Sequence, residues 1–398
     1  MQSLKKLYKI GHGPSSSHTM GPGFAATYIN QKHPSATHFN VTLFNSLALT
    51  GKGHLTDQVI LDTFSPKPVR FIQAIDINKH PNYMVFEVFQ GDTLLDSISV
   101  KSIGGGDILY DKEENEIIDV YQEKTFDEIK AYCTNKKVSL YDYVIEKESG
   151  DIQAFLKSIW EQMKKTVEKG LNTEGLLPGD LKVQRKAKTL FSRAKVNETD
   201  SQMQNRLVSA YAFAASEENG AGGIIVTAPT CGASGVLPAV LYYLYKDSKI
   251  EEKKIIESLA VAGVIGNVIK QNATISGAVG GCQAEVGSAC SMTAAAMAYI
   301  EGMSLDEIEY AAEIAMEHHL GLTCDPIDGY VQIPCIERNA VAGIRAINAA
   351  SLAGFLSDTR KISFDMIVNT MYQTGLDMHP KYKETAEAGM AFFYKTKK

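Results

Sequence analysis

The sequence predicts an α+β protein in which a small N-terminal α/β domain precedes a mainly helical one. Three observations carry that expectation. Short runs rich in β-branched and aromatic residues crowd the first hundred or so positions. From about position 150 onward, apolar residues recur at three-and-four spacing. Between the two regions lies a polar, charged stretch, DKEENEIIDVYQEKTFDEIK, which reads as a solvated helix face or a loop. The boundary is placed there, giving a first domain with its linker over 1–148 and a second over 149–398.

In the first domain, HFNVTLFNSLAL (38–49), VRFIQAIDI (69–77), YMVFEVFQ (83–90) and DTLLDSISVKSI (92–103) are predicted strands, the last ended by Gly104-Gly105-Gly106. FAATYINQKH (24–33) and TDQVILDTF (56–64) are predicted helices between them. In the second domain, helices are expected over 152–171, stopping at Gly170, and over 251–271. Two more are expected over 304–322, capped by Ser304, and over 339–357, capped by Asn339. The apolar stretch 276–299 is broken by Gln283, Glu285 and several serines, so it reads as a buried small-residue helix and not a membrane span.

A chain of 398 residues has room for two cores, and its net charge of −6 argues against a nucleic-acid or anionic-membrane surface. Six cysteines are too few for a disulfide scaffold. The opening MQSLKKLYKI lacks the apolar core of a secretory leader, so a cytoplasmic protein is expected.

Three cysteines stand beside turn-forming residues: Cys282 in SGAVGGCQAE, Cys324 in HHLGLTCDPIDG and Cys335 in VQIPCIERNA. Their spacing suits neither a zinc knuckle nor a four-cysteine ferredoxin. Three thiolates on separate loops can hold three irons of a [4Fe–4S] cluster and leave the fourth open as a Lewis acid. Ordinary buried thiols are the alternative. GPSSSHTMGP surrounds His18 with the hydroxyls of Ser15, Ser16, Ser17 and Thr19, which read either as ligand donors or as a capping turn. His54, in LTGKGHLTD, precedes a potential helix cap at Thr56. Lys270, in NVIKQNATISGAVGG near Asn272, suits either a carboxylate partner or a Schiff-base lysine for pyridoxal phosphate.

These words occur in order with KSIGGG (101–106) and APTCGASGVLPAVL (228–241). Together they make the chain resemble, over nearly its whole length, the iron–sulfur-dependent L-serine dehydratases (L-serine ammonia-lyases) with both parts fused. The resemblance implies conversion of L-serine to pyruvate and ammonia, with a [4Fe–4S] cluster on Cys282, Cys324 and Cys335. It implies catalytic roles for His54, taken as the base, and His18, and substrate contacts from Ser15, Ser16, Ser17 and Thr19; Lys270, just upstream of Cys282, is taken from its position as a partner of the substrate carboxylate. His80 and Asn82, in KHPNYM, match a family His-x-Asn pair that resembles a substrate-affinity element. A homodimer is expected, with L-serine as the partner and no nucleic acid or membrane. The rival activities are turnover of L-threonine or L-cysteine, and serine sensing without turnover.

Further residues are read more plainly. At most one of His318 and His319 would face a cluster, since neighbours on a helix point about 100° apart. Asp325, Asp328 and Glu337-Arg338-Asn339 suit either an internal salt bridge or support of the thiolates. Cys290 reads as core packing, and Cys133 as a linker residue without a catalytic role. The sequence departs from the family at Cys231, where Asn or a small residue is expected. It is also shortened between His54 and His80. Its tail AEAGMAFFYKTKK lacks the cysteine that caps the fourth iron in several members, so capping by a tail thiolate is not expected.

Overall fold

The computed structural model describes residues 1–111, 118–148, 150–356 and 359–396. Residues 112–117 of the polar stretch, and Ser357 at the end of the last predicted helix, lie outside the described residues. The architecture is α+β, with a mixed sheet in the N-terminal region and a helical C-terminal body.

Seven strands are present among the described residues: β1 (Ile10–His12), β2 (His38–Phe44), β3 (Val69–Ala74), β4 (Tyr83–Gln90), β5 (Thr93–Gly104), β6 (Asp107–Tyr110) and β7 (Ile224–Val226). Five of them form a sheet in the order β3-β2-β4-β5-β6, parallel only between β2 and β3. Phe39, Val41 and Leu43 of β2 point to one face and meet Met84, Phe86 and Val88 of β4 in a core shared with Ile29 and Phe64. The period-two alternation of these strands places that core against the helices Gly21–Lys32 and Thr56–Phe64.

The predicted strand 38–49 is too long. β2 ends at Phe44, Asn45 takes a positive φ of 50°, and Ser46–Thr50 turns helical, which carries the chain off the sheet toward His54. Residues 107–110 form an edge strand where a linker was expected. The described residues 126–147 are not a solvated connector either. Phe126–Lys136 and Leu140–Lys147 are capped helices that bury Phe126, Ile129, Cys133, Leu140 and Tyr143 in the helical core. The N-terminus joins the same core: Met1, Leu4, Leu7 and Tyr8 are buried there, and β1 pairs antiparallel with β7.

In the helical body, Ser288–Ile300 is the central helix and packs against Glu252–Asn272, Leu305–Glu317 and Cys335–Leu356. Its alanines and serines are buried, as expected for the 276–299 stretch. Ser304 caps its helix reciprocally with Glu307. Asn339 is not a cap: the helix begins at Cys335, and Asn339 is a buried interior residue. Gly170 does not stop its helix, which runs Ile152–Asn172. The unforeseen helix Asp200–Gly220 is buried almost all round in its second half, so it carries no apolar stripe to reveal it. No helix is long and apolar enough to cross a membrane among the described residues.

Candidate active site

Two of the predicted motif words sit on single π-type turns that run into helices: Ser16–Met20 before Gly21–Lys32, and Gln283–Gly287 before Ser288–Ile300. Such turns break the regular ladder and re-aim side chains, which is why they recur at functional sites. Here they face each other across a small cavity lined by Ser15, His54, Cys282, Cys324, Cys335 and Glu384.

The histidines are brought together by a reciprocal latch. The Thr19 hydroxyl donates to the His54 carbonyl at 2.6 Å, and the Thr56 hydroxyl donates to the His18 carbonyl at 2.6 Å. Thr56 is thus the first residue of its helix and not its cap, which falls at Leu55. Thr19 also accepts from the Ser15 amide, so its hydroxyl is committed to the fold and not to a ligand. Gly53 lets this loop reach the helical body, because a Cβ there would stand 2.8 Å from the Gly329 backbone. The two imidazoles lie 4.4 Å apart, fully buried.

Their hydrogen bonds fix their tautomers. Ser46 spends its hydroxyl proton on the Glu384 carbonyl at 2.9 Å, so His18 Nε2, 3.0 Å away, must donate to Ser46. His18 Nδ1 then accepts from Ser17 at 2.9 Å, and both ring nitrogens are occupied. His54 differs: its Nδ1 donates to the Thr50 carbonyl at 3.1 Å, leaving a bare Nε2 turned toward Glu384. Burial holds both imidazoles neutral, His54 at about 4 and His18 well below its ordinary value.

Glu384, which sequence reasoning missed, comes from the C-terminal segment. Its Oε1 lies 3.5 Å from His18 Nδ1 and 3.8 Å from His54 Nε2, and its Oε2 is buried without a partner among the described residues. Two backbone bonds seat it: Cys324 N–H to Tyr382 O at 2.8 Å, and Glu384 N–H to Cys324 O at 2.7 Å. Burial, then the neighbouring Cys282 sulfur, push its carboxyl well above the usual range. The only sequence signal was an acidic residue at the entrance to an otherwise featureless tail.

The cysteines arrive from three loops that hydrogen-bond one another. The Gln283 amide donates to Leu322 O at 3.1 Å, joining the first two, and Arg338 donates to Thr323 O at 2.6 Å, joining the second and third. The Cys324 thiol donates to the Cys282 sulfur, and the Arg338 guanidinium faces that same sulfur; together they hold Cys282 below the ordinary thiol value despite its burial. Arg338 also lies 3.6 Å from Asp325. Three convergent sulfurs, one of them already favoured as a thiolate, fit a group held by three thiolates. The donor atoms of His18, His54 and Glu384 also lie within 4.8 Å of one another, close enough for a metal ion. With three of the four ring nitrogens engaged by protein partners, that trio reads better as an acid–base set.

The remaining sequence-based assignments divide. Ser15 lines the cavity and Ser17 holds His18, while Ser16 is buried beside them. His80 accepts from the Asn82 amide at 3.1 Å, and Pro81 accepts from the Ser46 amide at 3.0 Å, which ties that turn to the histidine pair. Asn82 is fully buried with both amide atoms unpartnered among the described residues. Lys270 is elsewhere: it pairs with Asp107 beside Lys9 and the N-terminal segment and does not line the cavity. Asn272 bonds Lys124 O, far along the same helix end. Cys231 packs with Met20 and Ile225, Cys290 donates to Ala342 O, and Cys133 is core; none lines the cavity. His318 and His319 each bond the carbonyl four residues back, and neither lines it.

A family model for the serine dehydratase beta chain matches residues 3–67, and one for the serine dehydratase alpha chain matches residues 108–391. The chain is 38% identical to the L-serine dehydratase of Haemophilus influenzae, with 98% of this chain and 99% of that protein covered. It is likewise 38% identical to L-serine dehydratase 1 of Escherichia coli, over 98% and 99% of the two chains. To the L-serine dehydratase of Streptomyces coelicolor it is 37% identical, over 98% of each. The chain therefore belongs to the serine dehydratase family, with the beta and alpha parts joined in one polypeptide.

Proposed function

We propose that the protein is a cytoplasmic L-serine ammonia-lyase that converts L-serine to pyruvate and ammonia, with Cys282, Cys324 and Cys335 holding a [4Fe–4S] cluster. The observation that carries this reading is the convergence of those three sulfurs on the cavity that also receives the bare Nε2 of His54. When bound, such a cluster supplies an iron with an open position that acts as a Lewis acid on a hydroxyl. The chain's own residues do the rest. His54 Nε2 takes the Cα proton, held in its productive tautomer by Thr50 O. His18, locked between Ser17 and Ser46, fixes the wall against which the tilted His54 ring packs. The Cys324 thiol, and after it Arg338, favour the thiolate form of Cys282. Asn82 keeps two unsatisfied buried amide atoms on the turn tied to the histidine pair, although it does not itself line the cavity. Loss of the Cα proton and the β-hydroxyl gives aminoacrylate and water, and aminoacrylate hydrolyses to pyruvate and ammonia.

The test is anaerobic purification, a count of iron and sulfide per chain, and an assay for pyruvate from L-serine. Four irons and four sulfides with pyruvate formation are the expected result. Pyruvate formation without iron, or a full cluster without turnover of L-serine, overturns the reading.

A further inference from the structure

The cavity is chemically lopsided. Two carboxyl groups, Glu285 and Glu384, and three thiols line it, while no lysine or arginine does among the described residues. An amino-acid substrate brings one cation, its α-ammonium group, and burying that charge is costly unless a charged partner meets it. We propose that Glu384 receives the α-ammonium group of the substrate and so determines specificity for amino acids, an inference that rests on the function proposed above.

Position selects Glu384. The ammonium nitrogen is bonded to the carbon whose proton the base removes, so its receptor must adjoin the base. Glu384 Oε1 lies 3.8 Å from the bare Nε2 of His54. The hydroxyl sits one bond further along on the other side, so the receptor must also adjoin the thiols. Glu384 does, since its own amide donates to Cys324 O at 2.7 Å. Its Oε2 is buried and unpartnered, a free acceptor in a place where an unsatisfied acceptor is expensive. The backbone is committed to this placement: Glu384 adopts a positive φ of 60°, a conformation that a non-glycine residue adopts at a cost, and Ser46 clamps its carbonyl. Glu285 packs instead against Gly232 and Gly277, on the Cys282 side.

The experiment measures binding in the anaerobically purified, cluster-loaded protein by titration calorimetry with L-alanine and propionate. The two probes differ only in the ammonium group, and neither can lose a β-hydroxyl. Wild type is expected to bind L-alanine at least tenfold more tightly than propionate, and E384Q, which keeps shape and hydrogen bonding but not charge, to lose that preference through L-alanine alone. E384D should retain part of it. Equal binding of the two probes by wild type overturns the proposal without any variant. So does an E384Q that keeps the preference, weakens both probes equally, or differs from E285Q by retaining what E285Q loses. None of these outcomes touches the reading of the function, which stands or falls on the iron and sulfide count and the pyruvate assay.

Discussion

The bare Nε2 of His54 and the Oε1 of Glu384 stand 3.8 Å apart, although the two residues come from opposite ends of the chain. The separation is too long for a direct hydrogen bond and short enough for a substrate atom to bridge. His54 is set by its own helical turn through Thr50 O, whereas Glu384 is set by the Cys324 loop. The contact therefore couples the N-terminal histidine loop to the loop that carries a candidate ligand. Few other side-chain pairs test so directly whether the two regions act as one site.

Replacing His54 with Ala should lower kcat by roughly two to four orders of magnitude, the usual contribution of a positioned base. Iron content should not change, since His54 is not one of the three proposed ligands. The decisive measurement is exchange of the L-serine Cα proton with deuterated solvent. Wild-type exchange in H54A, with loss in H18A, would transfer the role to His18.

Cys282→Ser, Cys324→Ser and Cys335→Ser should each lose the cluster absorbance and pyruvate formation together. Cys290→Ala and Cys133→Ala should keep both, at a cost of about 1–2 kcal/mol for the small cavity each leaves. Arg338→Met is the informative intermediate. It removes the guanidinium that faces the Cys282 sulfur and bonds Thr323 O, so iron should leave faster under a chelator. An iron-release rate equal to wild type would show that the guanidinium does no more than tie the loops.

Much of this was legible in the sequence, and the exceptions have physical causes. The reciprocal cap of Ser304 with Glu307 and the alternation of β4 are local patterns, and local patterns survive folding. Asn339 has the chemistry of a cap, yet its amide accepts from Gly235 N–H and donates to Gly232 O, serving a loop that sequence spacing cannot bring near. Lys270 stands close to Cys282 in the sequence, but it does not line the cavity, and Asp107 takes its charge. Glu384 is the reverse case. Nothing in its surroundings distinguishes it until the parallel bridge between Cys324 and Lys383 lays the tail across the site.

The Lys270 assignment yields a stability prediction in place of a kinetic one. Lys9 and Lys270 both pair with Asp107, and although burial pushes that carboxyl up, the two ammonium groups outweigh it and hold it below its ordinary value. A depressed folded value means the contribution is fully present above the unfolded value near 3.9 and is lost as pH falls through the folded one. Wild type should thus shed stability below about pH 4 that D107N never had. At neutral pH, K270A should cost about 2 kcal/mol, the worth of a charge-assisted bond, and leave KM for L-serine unchanged. A raised KM with normal stability would return Lys270 to the substrate site.

Gly170 sets two effects of opposite sign against each other. It lies inside the helix Ile152–Asn172, where alanine is favoured over glycine by about 1 kcal/mol. A Cβ there would stand 2.2 Å from Ala214 O and 2.7 Å from Ala214 Cα, backbone atoms of the buried helix Asp200–Gly220 that cannot rotate away. Separating two packed helices costs about 1–3 kcal/mol, and a contact this short falls at the upper end. G170A should therefore destabilise the protein by about 2 kcal/mol net of the propensity gain. Gly150 supplies the control, since nothing lies within 4 Å of its added Cβ and its φ is not positive. Urea unfolding of both variants checks the argument: a G170A midpoint at or above that of G150A would mean that the two helices have room the close approach denies.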